Sequence, residues 1–144
     1  MSTESKSYLT AITRKRVSTP CNWLSKKELL KGRCLDYGCG KGKDADTLGM
    51  EKYDPYHFPQ LPTGKFDTIT CIYVLNVVQE RERSEILRNI SKYLAVGGKA
   101  YLAVRRDIKK EGYTKRLTWQ ENVILPYRVV YESPSRFVIY EIGG

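Results

Sequence analysis

Side chains able to do chemistry are densest between Arg33 and Gly49, in the stretch RCLDYGCGKGKDADTLG. Gly38, Gly40 and Gly42 alternate with Cys39 and Lys41; Asp36 precedes them and Asp44 follows. Residues without a Cβ let a backbone close on a ligand. A phosphate-cradling loop needs GxxxxGK followed by Ser or Thr. Here Lys43, not glycine, stands five residues after Gly38, and no Lys-Ser or Lys-Thr pair follows. A dinucleotide loop needs GxGxxG, and the third glycine of this chain comes one residue early. Carboxylates on both sides would also repel a pyrophosphate. The acids fit a ligand that has no phosphate and carries positive charge.

The elements around this loop alternate. Tyr8, Leu9 and Ile12 have helical spacing and precede the basic cluster Arg14-Lys15-Arg16. Ser18-Thr19-Pro20 is a helix start, a hydroxyl cap with proline in the first turn. Trp23, Leu24, Leu29 and Leu30 supply its apolar face, and Gly32 is expected to end it. A strand over 33–37 runs into the glycines, and a brief helix over 44–48 leaves them. The segment 51–56 reads as a very short strand ending in an acid. HFPQLPTGK, with two prolines and a glycine, is loop. FDTITCIYVL is nearly continuous apolar and β-branched sequence, the pattern of a strand buried on both faces. QERERSEILRNISKYLAVGG reads as a helix with Ile86, Leu87, Ile90 and Leu94 on one face, closed by Gly97-Gly98. KAYLAV is another buried strand, and YRVVYES with RFVIYEI forms a hairpin about Ser133-Pro134-Ser135. Strand–helix alternation followed by a hairpin predicts an α/β fold, a mostly parallel sheet with an antiparallel end. Ligands of such sheets sit at the carboxyl ends of the strands, where the glycine loop lies.

S-adenosylmethionine matches the ligand these residues describe: it has a sulfonium, an ammonium, a carboxylate and two ribose hydroxyls. Asp54 ends the next strand, where its two oxygens could accept both hydroxyls. CLDYGCGKG resembles the first motif of class I S-adenosylmethionine-dependent methyltransferases, and YDPY their ribose-binding acid. FDTITCIYVLNVV is similar to their fourth-strand motif, and ISKYLAVGGKAYLAV to the helix, GG turn and fifth strand that follow. The motifs run in order over about half the chain, 32–106, and the closest likeness is to small bacterial and phage methyltransferase-like proteins. The resemblance implies a Rossmann-like class I methyltransferase fold in one domain, with residues 1–32 as an N-terminal helical segment and 33–144 as the cofactor-binding part. It implies cofactor contacts at Asp36, Gly38, Cys39, Gly40, Gly42, Asp44, Asp54, Pro55 and Tyr56, with the backbone near Ile72 and Tyr73.

The chain departs from that family by being short. Eleven residues separate Gly42 from Asp54, and eleven more separate Asp54 from Phe66. The family fits two helices and two strands there, so the second strand should be stubby and the third missing. The acid that usually holds the adenine amino group has no equivalent, which leaves Tyr56, His57 or Phe58 for the adenine face. LNVV replaces the Asn/Asp-Pro-Pro-Tyr/Phe sequence of exocyclic-amine methylation, and no Pro-Cys pair follows for cytosine C5 chemistry.

Methyl transfer from a sulfonium needs mainly proximity and exclusion of water, so a catalytic acid–base pair is not required, and no convincing one is legible. Asn76 either orients a substrate or caps a helix. Arg105, Arg106 and Asp107 bind an anionic acceptor or end a strand in solvent. Tyr113 and Trp119 cover the site or pack. His57 is a base or a loop residue near the cofactor, and Lys41 and Lys43 meet the cofactor carboxylate or solvent. The catalytic candidates are Asn76, Arg105 and Tyr113. The formal charge of +9, from 25 basic and 16 acidic residues, favours polyanions in general. The acceptor is thus an anionic small molecule or a nucleic acid. The rival reading is a module that binds S-adenosylmethionine or nucleic acid without catalysis. Lys26, Lys27 and Lys31 read as a solvated face. Cys21, Cys34, Cys39 and Cys71 have neither zinc nor redox spacing, so no metal is expected and the thiols should be reduced. No apolar run is long enough for a membrane span, and the N-terminus has no signal-peptide pattern; the expected location is the cytoplasm, with no membrane partner.

Overall fold

A computed structural model describes residues 7–10 and 15–143. Ile12 and Arg14 lie outside the described residues; Ser7–Thr10 form one 3-10 turn. The first α-helix, α1 (Thr19–Lys26), starts as its sequence dictates. The Ser18 hydroxyl accepts from the Cys21 amide, and Pro20 sits in the first turn. The helix stops earlier than expected, at Lys26, because Glu28 turns left-handed at φ 56°. Leu29 and Leu30 therefore lie in the connection, still packed on the same core as Leu24.

Next come β1 (Cys34–Tyr37), α2 (Lys43–Leu48), β2 (Glu51–Tyr53) and β3 (Phe66–Ile72). They are followed by a 3-10 turn (Leu75–Val77), α3 (Glu80–Tyr93) and β4 (Leu94–Arg105). The chain ends with two short strands, β5 (Gly112–Tyr113) and β6 (Trp119–Gln120), and the hairpin β7 (Arg128–Ser133) with β8 (Phe137–Gly143). Six strands form one sheet in the order β2-β1-β3-β4-β8-β7. The first four run parallel; β8 and β7 are antiparallel. This is the mostly parallel sheet with an antiparallel C-terminal end that the sequence predicts. The stubby second strand is there, three residues long, and it is the edge of the sheet: no strand between β2 and β3 in the chain extends it further.

The two faces follow from period-2 alternation. Leu35, Ile69, Cys71, Leu102, Val104, Val138 and Tyr140 point to the side of Ile90 on α3. Tyr101, Ala103, Phe137 and Ile139 pack with Leu24 of α1. Cys21 of α1 meets Ala45 of α2 and Met50 beside them. Full burial of each large aliphatic contributes roughly 1.5–3 kcal/mol. Trp23 stacks on Tyr131 with ring centroids 4.7 Å apart, which fastens α1 to the antiparallel end. The edge strand is held by Arg33, whose guanidinium grips both oxygens of Glu51 at 2.6 and 2.8 Å and lies 4.1 Å from the Phe66 ring centroid. No helix among the described residues is long and apolar enough to cross a membrane.

The close of α3 corrects the sequence reading. The helix ends at Tyr93, and Leu94 opens β4 by pairing with Phe66. Gly97 and Gly98 sit inside the span of β4, at a register shift between Phe66 and Thr68. A Cβ on Gly98 would lie 3.0 Å from the carbonyl oxygens of Ala95 and Phe66 and 3.1 Å from that of Asp67. Backbone cannot yield as a side chain does, so the glycine is there for close approach. Gly98→Ala should cost about 1–3 kcal/mol by urea unfolding, whereas Val96→Ala, at a fully exposed side chain, should change stability by less than about 0.5 kcal/mol. Equal effects would show that the irregularity is a loose loop.

Candidate functional site

The carboxyl ends of β1, β2 and β3 meet at the glycine loop. Gly38, Gly40 and Gly42 have φ of 83°, 57° and 89°, and Gly42 is the N-cap of α2. Such angles cost a residue with a Cβ roughly 1–2 kcal/mol each. Space is also limiting. A Cβ on Gly38 would come within 2.5 Å of Val74 Cγ2, just past the end of β3. One on Gly42 would meet Lys52 Cδ at 2.8 Å and the Phe58 ring at 3.4 Å.

The loop amides are already engaged. Gly38 and Cys39 both donate to the Tyr53 carbonyl at 2.7 and 3.0 Å, Gly40 to Asp54 Oδ1 at 3.2 Å, and Gly42 to the Cys39 carbonyl at 3.0 Å. An anion-binding nest presents such amides outward; here four of them point into protein. Asp44 and Asp46 fill the first turn of α2. Amide orientation and charge together disfavour a phosphate and suit a cationic ligand.

Three acids of this region are buried, with distinct partners. Asp36 accepts from the Thr70 hydroxyl at 2.8 Å, across from β1 to β3 beneath the loop. Asp44 accepts from the Ser18 amide and hydroxyl at 2.7 and 2.6 Å, so it ties α2 to the start of α1. Asp54 Oδ2 accepts from the Tyr56 and His57 amides at 3.0 and 2.8 Å, while Oδ1 holds Gly40. Three of the roughly four acceptor sites of a carboxylate are thereby taken. Asp54 and Phe58 also exchange both backbone hydrogen bonds at 3.0 Å, closing 54–58 as a tight turn. Pro55 and Tyr56 are exposed on that turn, and Tyr56 meets the His57 ring edge-on at 4.9 Å. His57 Nε2 is buried without a hydrogen-bond partner. Phe58 lies by Gly42, with Lys52 Nζ 4.5 Å from its ring centroid. Burial, with Asp36 and Asp54 adding to it, pushes the Cys39 thiol up to about 12, so it is not a nucleophile.

Ile72 ends β3, and Tyr73 follows it. Tyr73 takes φ 60°, its amide donates to the Ala103 carbonyl at 2.9 Å, and its ring meets Phe137 edge-on at 6.2 Å. Val74 then lies over Gly38. Asn76 is buried and fully engaged. Its Oδ1 accepts from the Arg105 amide at 2.6 Å, and its Nδ2 donates to the carbonyls of Glu121 and Arg105 at 2.7 and 3.3 Å. It is a clamp between β3, β4 and the segment after β6, neither a helix cap nor a side chain open to substrate. Arg105 chelates Asp107 at 2.8 and 2.9 Å, which holds that carboxyl below its usual range. Its guanidinium lies 6.0 Å from the Tyr73 ring centroid. Tyr113 is exposed, its hydroxyl accepting from Gln79 Nε2 at 2.7 Å, and Trp119 packs on it edge-on at 5.2 Å. Lys41 is exposed and Lys43 half-buried on the loop. Sequence reasoning missed the bonds of Asp44 and Asn76, which join residues 26 to 45 positions apart and leave no local signal. Among the described residues no group of three or more His, Cys, Asp or Glu could hold a metal, and all four cysteines are free.

Comparison with known proteins bears on this geometry. A family model described as a methyltransferase domain matches residues 10–130. No curated protein sequence matches the chain. Among solved structures, the fold is similar to magnesium protoporphyrin IX methyltransferase of Synechocystis PCC 6803 with bound S-adenosylhomocysteine. That match has a TM-score of 0.54 and 14% identity over 95% of this chain and 92% of that one. The same enzyme with bound S-adenosylmethionine gives 0.51 and 16%, over 87% and 76%. The 1,6-didemethyltoxoflavin-N1-methyltransferase of Burkholderia thailandensis, with bound 1,6-didemethyltoxoflavin and S-adenosylhomocysteine, gives 0.58 and 12%, over 98% and 79%. At these identities the likeness establishes a shared Rossmann-like fold.

The fit of Val74 against Gly38 yields a coupling test. Gly38→Ala should cost about 2–4 kcal/mol, from strained φ and overlap together. In a Val74→Ala background the cost should fall by about 1 kcal/mol, because only the overlap is relieved. Additive unfolding energies in the double variant would place Val74 elsewhere. Cys39 should also resist iodoacetamide at pH 8 in the folded protein. As pH rises from about 9 towards about 12, the unfolded chain ionises this thiol first, and stability should decline over that window.

Proposed function

We propose that this chain, which belongs to the methyltransferase domain family, binds S-adenosylmethionine at the carboxyl ends of β1 and β2 and transfers its methyl group to an anionic acceptor. The observation that carries the cofactor is the glycine loop itself. It has the Cβ-free cradle that a close ligand needs, its amides are turned away from a phosphate, and buried acids flank it. Gly38, Gly40 and Gly42 would let the backbone approach the methionine end, with Asp36 beneath and Tyr73 and Val74 at its side. Asp54 has one acceptor site left for a ribose hydroxyl, and Pro55 and Tyr56 are exposed beside it for the adenine face. When bound, the cofactor supplies an electrophilic methyl on a good leaving group, so the protein's part is orientation and exclusion of water. The sulfonium accounts for the acidic surroundings, since a positive centre is stabilised by carboxylates in a site of reduced dielectric.

The acceptor is read from charge. The segment after β4 carries Arg106, Lys109, Lys110, Lys115 and Arg116, and Arg105, at the end of β4, stands beside Tyr73. An acceptor with negative charge, small molecule or nucleic acid, is drawn to that side. Incubation with tritiated-methyl S-adenosylmethionine and fractionated cell extract tests the reading: label should enter an acidic fraction. Asp54→Asn keeps the side-chain volume but loses an acceptor, and should lower cofactor affinity at least tenfold. Its thermal midpoint should fall by only a few degrees, as expected for one or two lost hydrogen bonds. Label in neutral acceptors alone, or unchanged affinity in that variant, would contradict it.

A further inference from the structure

The segment from Arg105 to Trp119 is built where a loop with this much charge need not be. It holds six cationic side chains and two acids, and both acids are engaged. Asp107 is chelated by Arg105, and Glu111 accepts from the Asn122 amide at 2.9 Å. Lys109, Lys110, Lys115 and Arg116 are exposed, and none of them is in an ion pair among the described residues.

The backbone beneath these charges is fixed. Asn122 bonds both the amide and the carbonyl of Ile108, and Gln120 Nε2 donates to the Lys110 carbonyl at 2.7 Å. At the tip, the Thr114 and Thr118 hydroxyls bond each other at 2.6 Å, and Thr114 Oγ1 also accepts from the Arg116 and Thr118 amides. Leu117 is held there at φ 61°, a strained angle for such a residue, and Lys115 and Arg116 beside it are exposed. Tyr113 presents an exposed ring, anchored at its hydroxyl by Gln79 and in T-shaped contact with Trp119. The Trp119 indole donates in turn to Glu121 at 2.6 Å. Asn76 fastens the whole segment to the end of β3, next to Tyr73 and the glycine loop.

Fixed unneutralised cations beside a rigid exposed aromatic are the parts of a single-strand platform: phosphates follow the charges while a base stacks on the ring. We propose that the β5–β6 hairpin binds a single-stranded nucleic acid, with phosphates on Lys109, Lys110, Lys115 and Arg116 and one base on Tyr113, and so delivers the acceptor to the methyl-transfer site. A base already unstacked also meets the need to bring a reacting atom out of a duplex. Delivery of the acceptor rests on the methyltransferase reading; binding of the strand does not.

Fluorescence anisotropy with labelled oligothymidylate and oligouridylate of about twenty nucleotides tests it, against a duplex and an abasic strand of equal length. Lys115→Glu with Arg116→Glu should weaken binding to both single strands at least tenfold and flatten the salt dependence by roughly 1.4 in log–log slope, for two phosphates. Tyr113→Leu should weaken oligothymidylate by about tenfold and leave the abasic strand unchanged. Lys27→Glu with Lys31→Glu, at the opposite end of the strands, should have little effect. S-adenosylhomocysteine affinity should be the same in every variant, so a failed cofactor reading would show separately as no binding of that ligand by any of them. Equal losses from the hairpin and far-end pairs, tighter binding to the duplex, or an equal effect of Tyr113→Leu on the abasic strand would overturn the proposal. A preference between the two single strands would tell DNA from RNA.

Discussion

One carboxylate holds the ligand end of this fold together. Asp54 joins the glycine loop after β1 to the turn after β2 through three backbone amides. The need for it comes from length. With only eleven residues between Asp54 and Phe66, β2 is a three-residue edge with no neighbour on its outer side. In a fuller sheet, pairing and a covering helix would fix the end of that strand. Here hydrogen bonds to a buried charge do so, and such bonds are about twice as strong as neutral ones.

The rest of the site is arranged around that staple. Tyr53 takes two loop amides on its carbonyl, Asp36 braces β1 against β3 through Thr70, and Asp44 carries the order on to Ser18 and α1. The loop is rigid because its own donors are engaged. The same engagement determines its ligand class, since a phosphate would find few amides pointing at it. Rigidity and selectivity here have one cause.

Much of this was legible in the sequence. Positions of strong local signal, such as the Ser18 cap, the alternating glycines and the β-branched run of β3, formed the elements expected of them. The missing third strand could be counted from two eleven-residue intervals. What could not be read depends on contacts between distant positions. Leu94 continues the helical stripe of Ile86, Leu87 and Ile90, yet pairing with Phe66 draws it into β4. Asn76 looked like a cap or a substrate ligand because nothing nearby announces its bonds to Arg105 and Glu121. The order in the segment after β4 was hidden likewise. Its two short strands are below the length at which periodicity can be seen, and threonine, asparagine and glutamine side chains supply most of its bonds.

The function of this end of the fold turns on the class of ligand the glycine loop accepts. Calorimetric titration of the purified protein with S-adenosylhomocysteine, and separately with NAD, measures this directly. Both carry adenosine, but only NAD brings a pyrophosphate to the loop. Micromolar binding of S-adenosylhomocysteine with none of NAD is the predicted result. Binding of NAD, or of neither, would contradict a loop whose inward-turned amides and buried acids are fitted to the methyl-donor cofactor.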